Sequence, residues 1–205
     1  MEKDKQILEV DNQVNLLVES PLYEFRLENH YLPVIGEGCL DADIIFIGEA
    51  PGKNEALSGR PFCGRAGKIL DELLVEAGLR REDVYITNIV KDRPPNNRRP
   101  TDREVEIYRP FLIQQLEIIQ PKFVVTLGVT STRFAFDSLH VEGAFHSFGE
   151  VEGRLFEMIL DGHRMLLYPL YHPAYAIYQR TNLPKMRERF KQIHALLEGE
   201  NPEKN

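Results

Sequence analysis

The sequence of 205 residues predicts an α/β protein: a three-layer α/β/α sandwich with a central, mainly parallel, four-stranded sheet. Two observations predict it. Short runs of β-branched and apolar residues, typical of buried parallel strands, alternate with longer segments of helical pattern. Glycine or proline occurs in the connections, and strands that alternate with helices form a sheet covered on both faces.

Each element follows from a local pattern. A helix at residues 5–19 ends before Pro21, and a helix at 65–77 ends at Gly78. A third helix opens with the capping box Thr101-Asp-Arg-Glu104. Two more helices are expected, a short one after Gly128 and a closing one after 171–174. The predicted core strands cover residues 43–47, 84–87, 122–127 and 165–170, and a further strand covers 154–160.

The composition predicts a single soluble domain over residues 1–205, because 42% of the residues are hydrophobic and 28% are charged. Within it we expect an N-terminal helix and arm (1–33), a core (34–195) and a disordered tail (196–205). The N-terminus is charged and no long apolar run is present, so we expect a cytoplasmic protein without membrane contact. We also expect a monomer. Cys39 and Cys63 offer neither a disulfide framework nor metal-ligand spacing.

The charge is unevenly distributed along the chain. The net charge is −7, but residues 1–50 hold 11 acidic and 3 basic side chains, so the remainder is almost neutral. Two basic clusters stand out, and each is compatible with a solvated surface or with phosphate binding. They are Lys91, Arg93, Arg98, Arg99 and Arg103, and then Arg180, Lys185, Arg187, Arg189 and Lys191.

Polar residues follow several predicted strands at their carboxyl ends, where parallel sheets bind ligands. They are the loop Gly48-Glu-Ala-Pro-Gly52, Asn88 and His172, with Gly128 at the end of a further strand. No phosphate-binding glycine loop, zinc-deaminase motif, serine nucleophile elbow or paired-carboxylate metal spacing occurs. An amide can read a pyrimidine edge, an aromatic such as Phe62 can stack on it, and a neutral histidine can donate to a developing anion. Taken singly, Asn88 could be a turn residue, Phe62 a core residue and His172 a loop residue.

These residues lie in motifs that resemble those of the family 4 uracil-DNA glycosylases, which usually carry an iron–sulfur cluster. The resemblance covers about residues 34–195. Its motifs, in family-like order, are 36–38, 47–52, 59–67, 85–95, 121–128 and 172–175.

The resemblance implies a monofunctional enzyme that flips uracil out of DNA and hydrolyses its glycosidic bond without a metal. It implies that Glu49 orients the attacking water, that His172 donates to the leaving uracil, and that Ala50 contacts the base. Glu55 would close the pocket near C5 of the base, Phe62 would stack on the ring, and Asn88 would read its edge. The expected DNA contacts are Lys91, Arg93, Arg98, Arg99, Ile177, Tyr178 and Arg180. The resemblance also implies a prokaryotic-type, nucleoid-associated protein.

The chain departs from the family pattern at the cluster. The four cysteine positions correspond approximately to Leu22, Phe25, Asp92 and Tyr108, and a cubane needs about four thiolates. We therefore expect no cofactor, and we expect aromatic and apolar packing in its place.

A second departure lies after His172, where the sequence reads Ala176-Ile177-Tyr178 in place of the family's Leu-Leu-Arg wedge. An insertion found in relatives that trap DNA covalently is also missing, so turnover is expected.

Three functions remain open. The first is an active glycosylase, favoured by the intact Glu49, Asn88 and His172. The second is a non-catalytic DNA-binding relative, and the third is an enzyme of free nucleotides, which the absent phosphate loop disfavours. The sequence leaves open the choice between single- and double-stranded DNA, activity on hypoxanthine or xanthine, and contact with a replication clamp.

Overall fold

The chain folds into alternating helices and strands, and this computed structural model describes residues 2–197. The helices are α1 (Glu2–Asn15), α2 (Tyr23–Glu28), α3 (Lys53–Ser58), α4 (Arg65–Glu76), α5 (Asp102–Ile119), α6 (Val129–Ser138), α7 (Phe148–Val151), α8 (Tyr175–Tyr178) and α9 (Leu183–Leu197). The strands are β1 (Glu37–Gly38), β2 (Ile44–Gly48), β3 (Tyr85–Asn88), β4 (Phe123–Leu127), β5 (Phe156–Leu160) and β6 (His163–Leu170).

The sheet has the order β1-β3-β2-β4-β6-β5. Its four central strands are parallel, as the sequence predicted, whereas both edge strands are antiparallel. The predicted count of four strands is therefore wrong, because the sheet has six in the described residues. Two residues are too few for β1 to show an alternating pattern. β5 joins β6 through Asp161-Gly162, both at positive φ, which is a favoured two-residue hairpin turn.

Helices cover both faces of the sheet, so the predicted three-layer architecture is confirmed. Successive residues of a strand point to opposite faces. On β2, Ile45 and Ile47 join the core that includes residues of α1, α5 and α6, whereas Ile44 and Phe46 join the core with α4 and α9. All five residues of β2 are buried, which explains why its sequence shows a continuous apolar run rather than an alternation.

The helix boundaries differ modestly from the prediction. The capping box of α5 is present, since Glu104 N donates to Thr101 Oγ1 and Thr101 N donates to Glu104 Oε2. The helix predicted over 5–19 is α1 and ends at Asn15, and α9 continues through the buried Leu196 to Leu197. The rest of the predicted tail, 198–205, lies outside the described residues. None of the helices from residue 2 to 197 has the length and apolarity that a bilayer crossing requires.

Candidate uracil-binding cleft

A cleft of about 800 Å³ opens at the carboxyl ends of the central strands. Gly48 at the end of β2 pairs with Asn88 at the end of β3, so the loops that follow both strands start side by side. His172 enters the cleft after β6. The structure thus brings together Glu49, Ala50, Glu55, Phe62, Asn88, Arg99, His172 and Tyr178 from the predicted site.

Phe62 forms an aromatic wall of this cleft, and two glycines allow its position. A β-carbon at Gly48 would collide with the Asn88 amide oxygen and the Phe62 ring. A β-carbon at Gly67 in α4 would collide with the Phe62 carbonyl group. Phe62 itself has φ 48°, a conformation that costs a non-glycine residue about 1–3 kcal/mol. The surrounding structure therefore holds the ring in a fixed place.

Asn88 presents an unsatisfied amide to the cleft. The residue is only 2% exposed, yet its side-chain amide forms no hydrogen bond with any described residue. Its backbone is fixed in the sheet by pairing with Gly48. An amide that opens only into the cleft can pair with a ligand that offers the complementary donor and acceptor.

Lys91 does not contact the cleft, so its prediction as a DNA-binding residue is wrong. Its side chain is fully buried, and its ammonium donates to Asn88 O, Thr87 Oγ1 and Gln115 Oε1. Gln115 in turn donates to Tyr85 OH. Burial lowers the pKa of Lys91 well below its ordinary value, while the three acceptors match the three donors of an ammonium group.

Glu49 is half-buried at the start of the loop after β2. Thr130, in the first turn of α6, donates a hydrogen bond from Oγ1 to Glu49 Oε2. This contact fixes the carboxylate on one side and leaves Oε1 without a partner among the described residues. Val90 N also donates to the Glu49 carbonyl oxygen at 3.2 Å, which ties this loop to the end of β3. A carboxylate held in this way can accept a proton from a water molecule.

The His172 ring is a hydrogen-bond donor to the cleft. Ala174 N donates to His172 Nδ1 at 3.1 Å, so the proton of the neutral ring lies on Nε2. Burial lowers the pKa of His172 to about 4, and the ring is therefore neutral near pH 7. Nε2 has no partner within residues 2–197. The ring centroid lies 5.4 Å from that of Phe62.

Glu55 closes one end of the cleft. Its Oε1 accepts a hydrogen bond from Gly64 N at 3.2 Å, and a β-carbon at Gly52 would lie 2.6 Å from its Oε2. The carboxylate thus spans the gap between the loop after β2 and the start of α4. Ala50, half-buried on the same wall, completes the set of predicted base contacts.

The predicted DNA-binding residues divide into two groups. Arg99 and Tyr178 line the cleft. The others do not line it, because several are held elsewhere. Arg98 forms an ion pair with Glu104, and Arg93 donates to Asn97 and Tyr31. Ile177 is half-buried and Arg180 is exposed outside the cleft lining. Of the two predicted contacts in the segment 176–178, Tyr178 lines the cleft and Ile177 does not.

The sequence analysis missed several cleft residues. Thr130 supports Glu49, and the side chains of Lys53, Arg65, Phe148, Tyr171 and Tyr175 add to the lining. Thr130 could have been found from its position, since it follows Gly128 at the end of a strand. Phe148 gave no signal, because it lies on α7, a four-residue helix far along the chain.

The region of Leu22, Phe25, Asp92 and Tyr108 contains a buried polar network and has no thiol. We call Ser20, Arg26, Asp92 and Tyr108 the Arg26–Asp92 network. Arg26 Nη1 donates to both Asp92 oxygens at 3.2 Å, Tyr108 OH donates to Asp92 Oδ2, and Ser20 Oγ lies 2.8 Å from Tyr108 OH. All four residues are buried.

These contacts do not fit a four-thiolate ligand set. Leu22 and Tyr108 are core side chains and Phe25 packs edge-on against Tyr31, while Cys39 and Cys63 are free thiols elsewhere. Within residues 2–197 no group of three or more histidine, cysteine or acidic side chains could hold a metal ion. The expectation that apolar and aromatic packing fills this region is wrong in part, because an ion pair occupies its centre.

The fold and the cleft define a class of protein: an α/β/α domain whose cleft, at the carboxyl ends of the strands, presents an aromatic ring, an amide and a neutral histidine. The profile of the "Uracil DNA glycosylase superfamily" matches residues 35–198. The chain is 48% identical over 149 residues to the type-4 uracil-DNA glycosylase of Thermotoga maritima, covering 73% of each chain.

Two archaeal proteins are similar over longer stretches. The type-4 uracil-DNA glycosylase of Archaeoglobus fulgidus is 43% identical over 166 residues, which cover 81% of this chain and 79% of that protein. That of Saccharolobus solfataricus is 40% identical over 189 residues, which cover 92% and 85%. The chain belongs to the uracil-DNA glycosylase superfamily, and the predicted resemblance to its type-4 members is confirmed.

Proposed function

We propose that this protein is a DNA repair glycosylase that flips uracil out of DNA and hydrolyses its N-glycosidic bond, leaving an abasic site. The observation that carries the proposal is the buried Asn88 amide, which has no partner among the described residues and faces a cleft walled by Phe62. A ring with one donor and one acceptor on neighbouring edge atoms satisfies this amide. The three type-4 relatives are uracil-DNA glycosylases by name.

The side chains suggest how hydrolysis proceeds. Phe62 stacks on the flipped uracil and Asn88 pairs with its edge. As the glycosidic bond breaks, its electron pair goes to the uracil ring, and His172 Nε2 donates a hydrogen bond to the oxygen on which negative charge collects. The sugar becomes an oxocarbenium ion. A water oriented by Glu49 then attacks the anomeric carbon and gives one proton to the Glu49 carboxylate, so that the products are an abasic sugar and the uracil anion.

Glu55 is the side chain that we propose restricts the base. Its carboxylate lines the cleft and is held by Gly64 N, and we propose that it faces C5 of the bound base. A thymine methyl group would have to approach this charged group. We therefore propose that Glu55 excludes thymine while admitting uracil.

The chemistry proposed for this chain needs no cofactor. We propose that it carries no iron–sulfur cluster, since Leu22, Phe25, Asp92 and Tyr108 offer no thiolate. We also propose a monomer that acts in the cytoplasm on the nucleoid. A colourless preparation without stoichiometric iron, eluting at the monomer volume, agrees with the first two statements.

A single assay tests the function. The purified protein is incubated with an end-labelled, uracil-containing oligonucleotide, and half of each sample is heated in alkali before electrophoresis. Cleavage only after alkali indicates a monofunctional glycosylase. Lys53 lines the cleft, and an amine could form a Schiff base with the abasic sugar. Cleavage without alkali, or trapping of the protein on DNA by borohydride, would therefore indicate a lyase step instead. Binding without release of uracil would favour the alternative, a non-catalytic DNA-binding relative.

A further inference from the structure

A second set of aromatic side chains lines the cleft beside His172. We call Tyr171, Tyr175 and Tyr178 the tyrosine shelf; all three line the cleft. The rings of Tyr171 and Tyr175 are stacked, with centroids 4.8 Å apart and planes 11° apart. Phe148 packs edge-on against Tyr171 at 5.1 Å. Two rings of the shelf, Tyr171 and Tyr175, therefore form an ordered stack.

The backbone fixes this shelf close to the reacting bond. Tyr175 N donates to His172 O at 2.8 Å, so the shelf begins on the same turn as the proposed catalytic histidine. Tyr175 and Tyr178 are three residues apart on α8 and lie on one side of it. A nucleotide next to the flipped uracil would leave the cleft beside these rings.

The exposure of the outer two rings indicates binding rather than packing. Tyr171 is half-buried, as a packing residue would be, but Tyr175 is 36% exposed and Tyr178 is 84% exposed. Val129, another cleft residue, is also exposed. Apolar surface that is contiguous with a cleft marks an interaction site more often than scattered exposed residues do.

Three basic side chains line the cleft itself. Lys53, Arg65 and Arg99 line the cleft and have no ion-pair partner in the described part of the chain. Several other basic residues are neutralised internally. The ion pairs are Arg98–Glu104, Lys185–Glu152, Arg187–Glu76 and Arg189–Glu152. Proteins that bind single-stranded nucleic acid combine a few phosphate contacts with base stacking, and each stacked base raises their affinity about 5- to 150-fold.

We propose that the tyrosine shelf binds an unpaired base adjacent to the uracil, so that single-stranded DNA is the substrate for which the cleft is built. The inference rests on the proposed function for the identity of the flipped base. The unpaired neighbouring base stacks on Tyr175, and its own neighbour reaches Tyr178. In a duplex the same base is held by its partner strand and must be unpaired first.

Equilibrium binding tests this proposal without turnover. The probes are single strands and duplexes that contain one non-cleavable, 2′-fluorinated deoxyuridine, with a normal or an abasic nucleotide on either side of it. The proteins are the parent, Tyr175→Ala, Tyr175→Phe and Tyr178→Ala. Leu16→Ala is the control, since Leu16 is 73% exposed and does not line the cleft. Thermal melting checks that each variant is folded.

We expect the parent to bind the single strand more tightly than the duplex, and to lose about 5- to 150-fold when one neighbouring base is removed. Tyr175→Ala should bind the intact strand more weakly than the parent by the same factor. It should bind the abasic strand with the affinity of the parent. Tyr175→Phe and Leu16→Ala should behave as the parent on both strands. If Tyr175→Ala loses equal affinity for both strands, or if removal of the neighbouring base leaves the affinity of the parent unchanged, the proposed role of the tyrosine shelf is wrong. Parent protein that releases no uracil from a cleavable strand contradicts the proposed function instead.

A second, independent inference concerns the buried Lys91. Its three hydrogen bonds tie the last residue of β3 to α5, because Lys91 joins the Asn88 carbonyl group to Gln115. Thr87 and Gln115 are themselves anchored on the Ile35 carbonyl oxygen. We infer that Lys91 is a positioning residue that fixes the orientation in which Asn88 presents its amide to the base.

Inhibition by free uracil tests this role, because it reports on the base contacts alone. Lys91→Met and Thr87→Val are compared with Met158→Ala, a buried change on the edge strand β5 away from the cleft. We expect Lys91→Met and Thr87→Val to raise the inhibition constant of uracil at least about tenfold, which corresponds to the loss of one hydrogen bond to the base. Met158→Ala should lose thermal stability with an unchanged constant. Equal constants in all three folded variants would reduce Lys91 to a structural role.

Discussion

The cleft and the Arg26–Asp92 network both contain polar side chains with little exposure, but they differ in whether these side chains have hydrogen-bond partners in the described part of the protein. In the network, Asp92 accepts from Arg26 and Tyr108, and Arg26 also donates to the carbonyl oxygens of Val14 and Asn15. In the cleft, the Asn88 amide and His172 Nε2 have no partner among the described residues. Satisfied buried groups hold a fold together, whereas unsatisfied ones in a cleft indicate where a ligand supplies the missing partner.

The largest effect is expected at the unsatisfied amide. Asn88→Ala should fold with little change in stability and lower uracil excision by up to about 10⁴-fold, since sites built on buried hydrogen bonds discriminate by such factors. Single-turnover rates on a uracil-containing strand measure it. Asn88→Asp is the matched variant, and it should show weak release of cytosine. Parent-like excision by Asn88→Ala would mean that the amide does not read the base.

The network should respond in stability instead of rate. Arg26→Met leaves Asp92 buried without its cation, so we expect a loss of about 3–5 kcal/mol in the free energy of unfolding. Urea denaturation measures this loss. The double variant Arg26→Met/Asp92→Leu should recover most of it, because an apolar pair avoids the desolvation of two charges. A rate of uracil release that fell a hundredfold in the folded single variant would contradict the division between the two regions.

His172 should combine a large kinetic effect with a small structural one. His172→Ala removes one donor to a developing anion, and we expect about 10²–10³-fold slower excision, or about 2.7–4 kcal/mol, at nearly unchanged affinity for uracil DNA. The comparison of single-turnover rate with binding separates these two quantities. A few-fold change in rate would assign the ring to the loop structure.

The same histidine sets a dependence on pH. Its pKa in the folded protein is about 4, below the ordinary 6.5, because burial disfavours the charged ring. Between these two values the unfolded chain binds the additional proton, so stability rises with pH over this window and His172 contributes no further slope above it. Urea titrations at several pH values should show this slope in the parent, and His172→Ala should reduce it by the contribution of one group.

The smallest effect concerns two adjacent arginines that differ only in their partners. Arg99 lines the cleft unpaired in the described residues, whereas Arg98 is paired with the buried Glu104. Arg99→Ala should reduce the slope of log affinity against log salt by about 0.7–0.9, as expected for one phosphate contact. Arg98→Ala should leave the slope unchanged and lower the melting temperature. An equal change of slope in both would place DNA across the whole loop.

Local patterns in the sequence were sufficient to predict the parallel core of the sheet and the residues at the carboxyl ends of its strands. The continuous apolar run of β2 and the capping box of α5 depend on neighbours within a few residues, so they are readable without the fold. Asn88 and His172 could be brought together because parallel strands end at the same edge of a sheet. The edge strand β1 was missed because two residues show no period.

Only the tertiary structure decided which charges are free. Lys91, Arg98 and Arg99 look equivalent as a basic cluster, but the first is buried on Gln115 of α5, the second is paired with Glu104, and the third lines the cleft. Likewise, Arg26 and Asp92 are 66 residues apart in sequence and in contact in the fold. The energy of a charge depends on its burial and on its partners, and both come from distant segments that no local pattern encodes.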